Sequence, residues 1–170
     1  MSTRALILAV ALALAAIVPA AALAADPNIR WVDIIGIIQA GNLAGSGAGQ
    51  VTGGGQPWST TKGSATVNLN NGDIHFRVEG LVLAGGNGIG TRAAITEVKG
   101  TLVCDTDGSV GAGSSTLVDT PLVPLSAQGD AEFRGSVGPL PGACFTEADI
   151  AFVVRIGAGR WIANGAVRRP

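Results

Sequence analysis

The sequence predicts an all-β fold, either an antiparallel β-sandwich or a small barrel of about seven to nine strands, with one disulfide. In several segments, apolar and polar residues alternate with a period of two, which is typical of half-buried strands. The 26 glycines among 170 residues indicate many tight turns between short strands. Beyond the first two dozen residues, no segment shows the period of an amphipathic helix.

Residues 1–24 have the features of a signal peptide. Arg4 precedes an uncharged apolar run, Pro19 ends that run, and the Ala-Leu-Ala at 22–24 matches the small-x-small pattern read by signal peptidase. We therefore expect cleavage after this tripeptide, a secreted or periplasmic location, and one all-β domain at 25–170. An uncleaved membrane anchor is disfavoured, because the run is short for a bilayer and no basic residues follow it closely.

The charge of the mature domain is nearly balanced. The whole chain has a formal net charge of −1, and the leader contributes one basic residue, Arg4, and no acidic one. The mature domain therefore has a formal charge of −2. Because nucleic acids and anionic membranes bind clustered lysine and arginine, we expect neither as a partner, and no stable membrane insertion after cleavage.

The first predicted strand is IRWVDIIGIIQ at 29–39, which is rich in β-branched and aromatic residues and is expected to bend at Gly36. A glycine-rich connection of about 40–57 follows, and Pro57-Trp58 closes it. A hairpin comes next. Ala65, Val67 and Leu69 alternate with polar residues before Asn71-Gly72, and Ile74, Phe76 and Val78 alternate with polar residues after it.

Asn-Gly is the preferred pair for a two-residue type I′ turn, since both positions need a positive φ. That turn would set Leu69 opposite Ile74 and Asn68 opposite His75. All apolar residues of the hairpin would then lie on one face and the polar residues, including His75, on the other.

Further strands are predicted in the second half of the chain. Alternation marks strands at 94–104, 130–138, 148–156 and 160–167. In the strand at 94–104, Val98, Leu102 and Cys104 share one face and Thr101 lies on the opposite one. The segment STLVDTPLVPLS contains two prolines, which favours an edge strand or a surface loop, because proline cannot donate to a sheet ladder.

The second half also resembles a group of known proteins. The segments VKGTLVCD, VDTPLVPLSAQGDAEFRGSV and RWIANGAV are similar to segments of small uncharacterised exported bacterial all-β proteins. The resemblance implies an exported all-β domain and no particular activity.

Cys104 and Cys144 are the only cysteines. In an exported protein an even pair most simply forms a disulfide. A reactive pair would normally show close spacing such as C-x-x-C. We therefore predict a structural bond, which would contribute about 4 kcal/mol by restricting the unfolded chain.

His75 is the only histidine in the chain and the first candidate for acid-base chemistry. A general base needs a nucleophile and an orienting partner, and a metal site needs further ligands. The hairpin register places His75 on an outward face beside Arg77 and Asn68, so we predict no catalytic residue. His75, Arg77, Glu79 and Trp58 remain candidate ligand contacts.

Asp105, Asp107 and Asp119 are the weak candidates for a calcium site. The spacing of the first two matches an EF-hand loop, but the positions that should hold glycine and glutamate are Val110 and Thr116. A D-G turn is the simpler interpretation. None of the glycine runs matches a phosphate-binding loop, so the sequence predicts no cofactor.

The favoured function is an exported, non-catalytic module with a binding or structural role, whose partner is an extracellular or periplasmic protein or a glycan. One alternative is a small hydrolase that uses carboxylates on a strand face. The other is a lectin-like module in which exposed tryptophans stack on sugar rings, although the core favours burial of these tryptophans. The residues of these alternatives are Glu79, Glu97, Glu132 and Glu147 for the hydrolase and Trp31, Trp58 and Trp161 for the lectin.

Overall fold

The computed structural model describes residues 27–145 and 149–169. This part of the chain is all-β, with short 3-10 turns at Gly47–Gly49 and Gly142–Phe145. The strands are β1 Asn28–Gly36, β2 Leu43–Ala44, β3 Val51–Thr52, β4 Trp58–Ser59, β5 Lys62–Asn68, β6 Asp73–Glu79, β7 Val82–Leu83, β8 Glu97–Cys104, β9 Thr116–Asp119, β10 Val123–Pro124, β11 Ala131–Ser136, β12 Ile150–Ile156 and β13 Trp161–Arg169.

Nine strands form one antiparallel sheet in the order β10-β8-β12-β13-β1-β5-β6-β11, with β9 pairing with β8 next to β10. The strands β2 and β3 form a small separate sheet, and so do β4 and β7. The predicted antiparallel all-β fold is therefore confirmed. The predicted signal peptide lies outside the described residues.

The large sheet curls until its two sides meet. Strands β6 and β12 are four positions apart in the sheet order, and a flat sheet would separate them by roughly 19 Å. Instead the rings of Phe76 on β6 and Phe152 on β12 have centroids 5.7 Å apart. Trp31 on β1 packs on Phe152 at 5.6 Å, and Phe133 on β11 packs on Phe76 at 6.3 Å.

Alternating apolar residues of the strands fill the interior of this curled sheet. Gly100 on β8 makes the close approach of the two walls possible, because a Cβ there would lie 2.7 Å from the Phe152 ring and 2.8 Å from the Phe76 ring. The largest fully buried side chains are Phe76, Phe152, Ile29, Ile34, Ile74, Leu81, Leu102 and Ile162.

The β5–β6 hairpin confirms the predicted faces but not the predicted turn. Val67 pairs with Ile74, two residues away from the expected register. A shift of two keeps every side chain on its face. The loop spans residues 69–72, and Gly72 has φ +70° whereas Asn71 does not have a positive φ, so the type I′ prediction is wrong. Leu69 is buried and its N–H donates to Pro27 O instead of β6, which lengthens the loop.

Strand β1 ends at Gly36 and does not continue to residue 39 as predicted. At Gly36 the backbone of β1 packs directly on the backbone of Trp58, since a Cβ on Gly36 would lie 2.1 Å from Trp58 O. The backbone N–H of Trp58 donates to Ile37 O at 2.7 Å.

The glycine-rich connection at 40–57 is ordered around the β2–β3 hairpin. Ser46 N–H donates to Ser115 Oγ at 2.8 Å and Ala48 N–H donates to Ser114 Oγ at 3.1 Å. This hairpin covers part of the outer face of β8, where Val103 is buried beside Gly45. Thr101, expected on a solvent-exposed face, is buried as well.

The predicted disulfide joins Cys104, at the end of β8, to Cys144 in the second 3-10 turn. The segment from β11 to Cys144 crosses one end of the curled sheet and inserts Leu140 into the core. The bond therefore attaches this crossing segment to β8, and such a bond is typical of a protein outside the reducing cytosol.

The proline-containing segment forms β9 and β10, and both strands pair with β8 alone. The predicted edge position is therefore confirmed.

Within the described ranges, no helix has the length and apolar character needed to span a membrane.

The variant Gly100→Ala tests the contact between the two walls of the core. We expect it to lower the free energy of unfolding by about 1–3 kcal/mol, because the added methyl group overpacks two phenylalanine rings. Chemical denaturation measures the change. Gly157→Ala is the matched control, since a Cβ there has its nearest neighbour at 3.9 Å. Equal stability of the two variants would contradict the close approach of β8 to the two rings.

Candidate functional site

The outward side chains of β5, β6 and β11 form a surface that we call the outer polar face. The strand registers arrange it in rows across the sheet. Thr66, His75 and Arg134 form one row, and Ser64, Arg77 and Glu132 form the next. The same strands direct Ala65, Val67, Phe76 and Val78 into the core, so the alternation that builds the core also builds this face.

His75 is held between two side chains of β11. Its Nε2 lies 3.0 Å from Glu132 Oε1, and its Nδ1 lies 3.1 Å from Arg134 Nη2. Because a guanidinium only donates, Nδ1 accepts from Arg134, and Nε2–H then donates to Glu132. The arrangement thus selects the neutral tautomer that carries its proton on Nε2.

This geometry restricts what His75 can do chemically. Nε2 carries the proton, and the one basic lone pair, on Nδ1, accepts from Arg134, so no lone pair is directed at a substrate as a general base requires. The side chain is 36% exposed and Glu132 is 54% exposed, so the group is accessible at the surface. The two contacts fix the orientation of Arg134 and Glu132 at the surface.

A shallow depression of about 450 Å³ adjoins His75; we call it the His75 depression. Asn68 Nδ2 donates to Asn28 Oδ1 at 3.2 Å on its wall. Amides, a hydroxyl, an imidazole, a guanidinium and a carboxylate therefore surround one space. Its polar side chains are Asn28, Thr66, Asn68, Asp73, His75 and Arg134.

Arg77 and Glu79 lie in a second depression of about 360 Å³. They form an ion pair in which Arg77 Nη2 is 2.8 Å from Glu79 Oε1. Asp33, Lys62 and Ser64 line the same space. A largely solvent-accessible ion pair of this kind adds about 0–1 kcal/mol to stability. His75 does not line this depression; it lines the His75 depression.

The three tryptophans are buried, as the core interpretation expects. Trp58, the candidate ligand contact among them, is 6% exposed, which leaves little ring surface for stacking on a sugar. Trp161 uses its Nε1–H to donate to Asn42 O at 3.1 Å.

The three candidate calcium ligands do not come together. Asp105 is buried and accepts hydrogen bonds from the backbone N–H groups of Val110 and Gly111. Asp107 is exposed in the following turn, and Ser109 N–H donates to it at 2.9 Å. Among residues 27–145 and 149–169, no group of three histidine, cysteine, aspartate or glutamate side chains is placed to hold a metal ion.

Asp119 is committed to a different network on β8 and β12. It accepts hydrogen bonds from Lys99 Nζ, from Thr101 Oγ1 at 2.6 Å and from Arg155 Nη1 at 3.0 Å. Partial burial raises the pKa of Asp119, but the hydrogen bonds from Lys99 and Thr101 and the charges of Arg155 and Lys99 outweigh burial and hold the pKa below its ordinary value. Backbone and side-chain hydrogen bonds from Ser109 lower the pKa of Asp107.

The carboxylates considered for a hydrolase are dispersed. Glu79 pairs with Arg77 and Glu132 pairs with His75. Glu97 is exposed at the start of β8, on another part of the sheet. Glu147 lies outside the described residues.

Sequence reasoning missed Arg134 and the role of Glu132 beside His75. The alternation in DAEFRGSVG does place both residues on an outward face. Nothing local indicates that β11 pairs with β6, because 59 residues separate His75 from Arg134.

The variant Asp119→Asn tests the β8–β12 network. Because the folded pKa lies below the ordinary value of 3.8, the wild-type carboxylate stabilises the fold above that pH and loses this effect as the pH falls through the lowered folded pKa. We expect a loss of about 1 kcal/mol at pH 7, kept small by solvent screening, and a smaller difference below about pH 3. Urea unfolding at several pH values measures it, with the exposed Glu97→Gln as control. A difference between wild type and Asp119→Asn that does not change with pH would count against the network.

Comparison with known proteins finds no matching family model, no similar curated protein and no similar solved structure.

Proposed function

We propose that the mature domain is an exported, non-catalytic binding module whose ligand occupies the His75 depression. One observation carries the proposal: side chains from β1, β5, β6 and β11 converge there, and the Glu132–His75–Arg134 contacts orient two of the polar groups in advance. Pre-oriented groups lose less conformational entropy when a ligand binds. The signal-peptide features and the Cys104–Cys144 bond support export.

The chemistry of the lining favours a neutral, hydroxyl-rich ligand, which points to a glycan. The charges of Asp73 and Arg134 offset each other, and the remaining groups are amides, one hydroxyl and the neutral imidazole. A sugar hydroxyl both donates and accepts, so it can satisfy such a mixed set. With the tryptophans buried, binding would rely on hydrogen bonds instead of stacking, and a shallow polar site of this kind predicts weak affinity.

The hydrolase alternative lacks a comparable observation. Both ring nitrogens of His75 are engaged, and Glu97 and Glu132 lie apart from Glu79. Asp33 shares a depression with Glu79, but the Glu79 carboxylate there is ion-paired with Arg77. We therefore retain the binding role as the proposed function.

Titration of the mature, disulfide-bonded protein with soluble neutral oligosaccharides, followed by NMR chemical shifts, tests this proposal. We expect saturable shifts at Thr66, Asn68, His75 and Arg134, with Kd on the order of 1 mM. Thr66→Val removes a hydroxyl from the depression and keeps the side-chain shape. It should weaken binding about threefold to tenfold, as expected for the loss of one neutral hydrogen bond.

The matched control is Ser64→Ala, which removes a hydroxyl from the same face of β5 in the neighbouring row. Its affinity should equal that of the wild type. Shifts that map elsewhere, the absence of shifts with every sugar, or release of cleaved products would each overturn the proposal.

A further inference from the structure

A second depression of different chemistry lies between the β4–β7 sheet and the turn that joins β12 to β13. We call it the Trp58 groove. Its volume is about 240 Å³, and no residue that lines it also lines the His75 depression. Its polar side chains, apart from the indole N–H of Trp58, are Gln56 and Arg160. Its larger apolar side chains are Trp58, Leu83, Ile95, Ile156 and Ile162.

The indole N–H of Trp58 is a donor that the protein does not use. Trp161 Nε1–H donates to Asn42 O, but no acceptor in the described part of the chain meets the Nε1–H of Trp58. Trp58 is only 6% exposed, and an indole N–H usually finds a partner when it is buried. In the described ranges, no fully buried side-chain nitrogen or oxygen lacks a partner. Trp58 Nε1 therefore reaches the groove, where its proton is free for an acceptor on a ligand.

The lack of a side chain at Gly54 keeps this donor accessible. A Cβ on Gly54 would lie 3.7 Å from Trp58 Nε1 and 3.3 Å from Ile162 Cγ2, so a longer side chain would crowd the indole edge. The preceding residue, Gly53, accepts a hydrogen bond through its O from Arg160 Nη1 at 3.0 Å. Adjacent glycines thus contact the indole N–H and the guanidinium, which places both donors on the same side of the groove.

Arg160 supplies the only formal charge among the residues that line the groove. It is exposed, and within the residues that the structure describes no carboxylate pairs with it. Its contact with Gly53 O uses one of the five N–H donors of a guanidinium, so the others remain available. Because hydrogen bonds between a guanidinium and a carboxylate are stronger than neutral ones, this side of the groove favours a carboxylate.

We propose that the Trp58 groove binds a medium-chain alkyl carboxylate, such as a fatty acid. The carboxylate accepts hydrogen bonds from Trp58 Nε1–H and from the Arg160 guanidinium. The alkyl chain lies against the apolar walls, which include Leu83 and Ile95. A methylene is about as large as a water molecule, whose share of liquid volume is about 30 Å³, so the groove holds a chain of at most roughly eight carbons. This site is independent of glycan binding.

Titration of the mature, disulfide-bonded protein with sodium octanoate, followed by the indole N–H signals in NMR spectra, tests this proposal. We expect a saturable shift of the Trp58 signal, with Kd on the order of 1 mM. The Trp161 signal should shift less, since that N–H already has an acceptor. Hexanoate and butanoate should bind more weakly, by about twofold to fourfold for each methylene removed.

The variant Arg160→Gln separates recognition of the carboxylate from burial of the chain. It should raise the Kd of hexanoate at least about fivefold, as expected for the loss of a charged hydrogen bond. The Kd of hexan-1-ol, which has the same chain length and no charge, should stay within about twofold of the wild type. Arg169→Gln is the matched control, because it removes the same charge at an exposed position at the opposite end of β13. Both ligands should bind it as they bind the wild type.

The variant Ala94→Phe fills the groove from an exposed position on its wall and should abolish the binding of both hexanoate and hexan-1-ol. Unchanged binding in this variant, equal losses of the two ligands in Arg160→Gln, or a Trp58 signal that octanoate does not move would each overturn the proposal. A Trp58 signal that shifts with protein concentration alone would also overturn it, because a second copy of the chain would then occupy the groove.

Discussion

The contact between Phe76 and Phe152 holds the two sides of the curled sheet together. These residues come from strands four positions apart in the sheet order. Gly100 packs against both rings, and a Cβ at this position would lie within 2.8 Å of each of them. The curl turns one face of every long strand into the core and leaves the other outside. His75 is next to Phe76 in the chain, so burial of the phenylalanine requires the histidine to face outward.

Other segments of the chain cover the outer surface of the sheet over β8 but not over β5, β6 and β11. The candidate site lies on the uncovered part. Over β8, the β2–β3 hairpin, the loop that contains Asp105 and the Asp119 network cover the outer surface and bury Thr101 and Val103. Over β5, β6 and β11 nothing comparable covers the surface among the described residues, and polar side chains remain accessible there. The proposed binding site lies on this uncovered side.

The alternation of apolar and polar residues predicted which side chains of the hairpin are buried. It did not predict which residues of the two strands lie opposite each other. The hairpin shows the difference, since its apolar set is buried as expected but its register is shifted by two residues. Period-two alternation is unchanged by such a shift. The packing of Leu69 beside Pro27, a contact between distant segments, decided the loop length.

The candidate site shows the same limit. An outward-facing His75 followed from the alternation, but its expected neighbours Asn68 and Arg77 are not its bonding partners. Glu132 and Arg134 reach it from β11, which is distant in sequence. The candidate calcium ligands Asp105, Asp107 and Asp119 are close in sequence, but they have separate protein partners in the fold. Backbone N–H groups donate to Asp105, and the side chains of Lys99 and Arg155 donate to Asp119.

The sequence by itself determined the all-β class, the buried face of the β5–β6 hairpin, the edge character of the proline-containing segment and the pairing of the two cysteines. Each of these depends on residue type and spacing within a short segment, or on a count. Only the tertiary structure decided the strand order, the curl and the partners of His75. Every strand carries the same period-two signal, so the pattern cannot identify which strand lies beside which. That choice depends on how the side chains of all strands fill one interior.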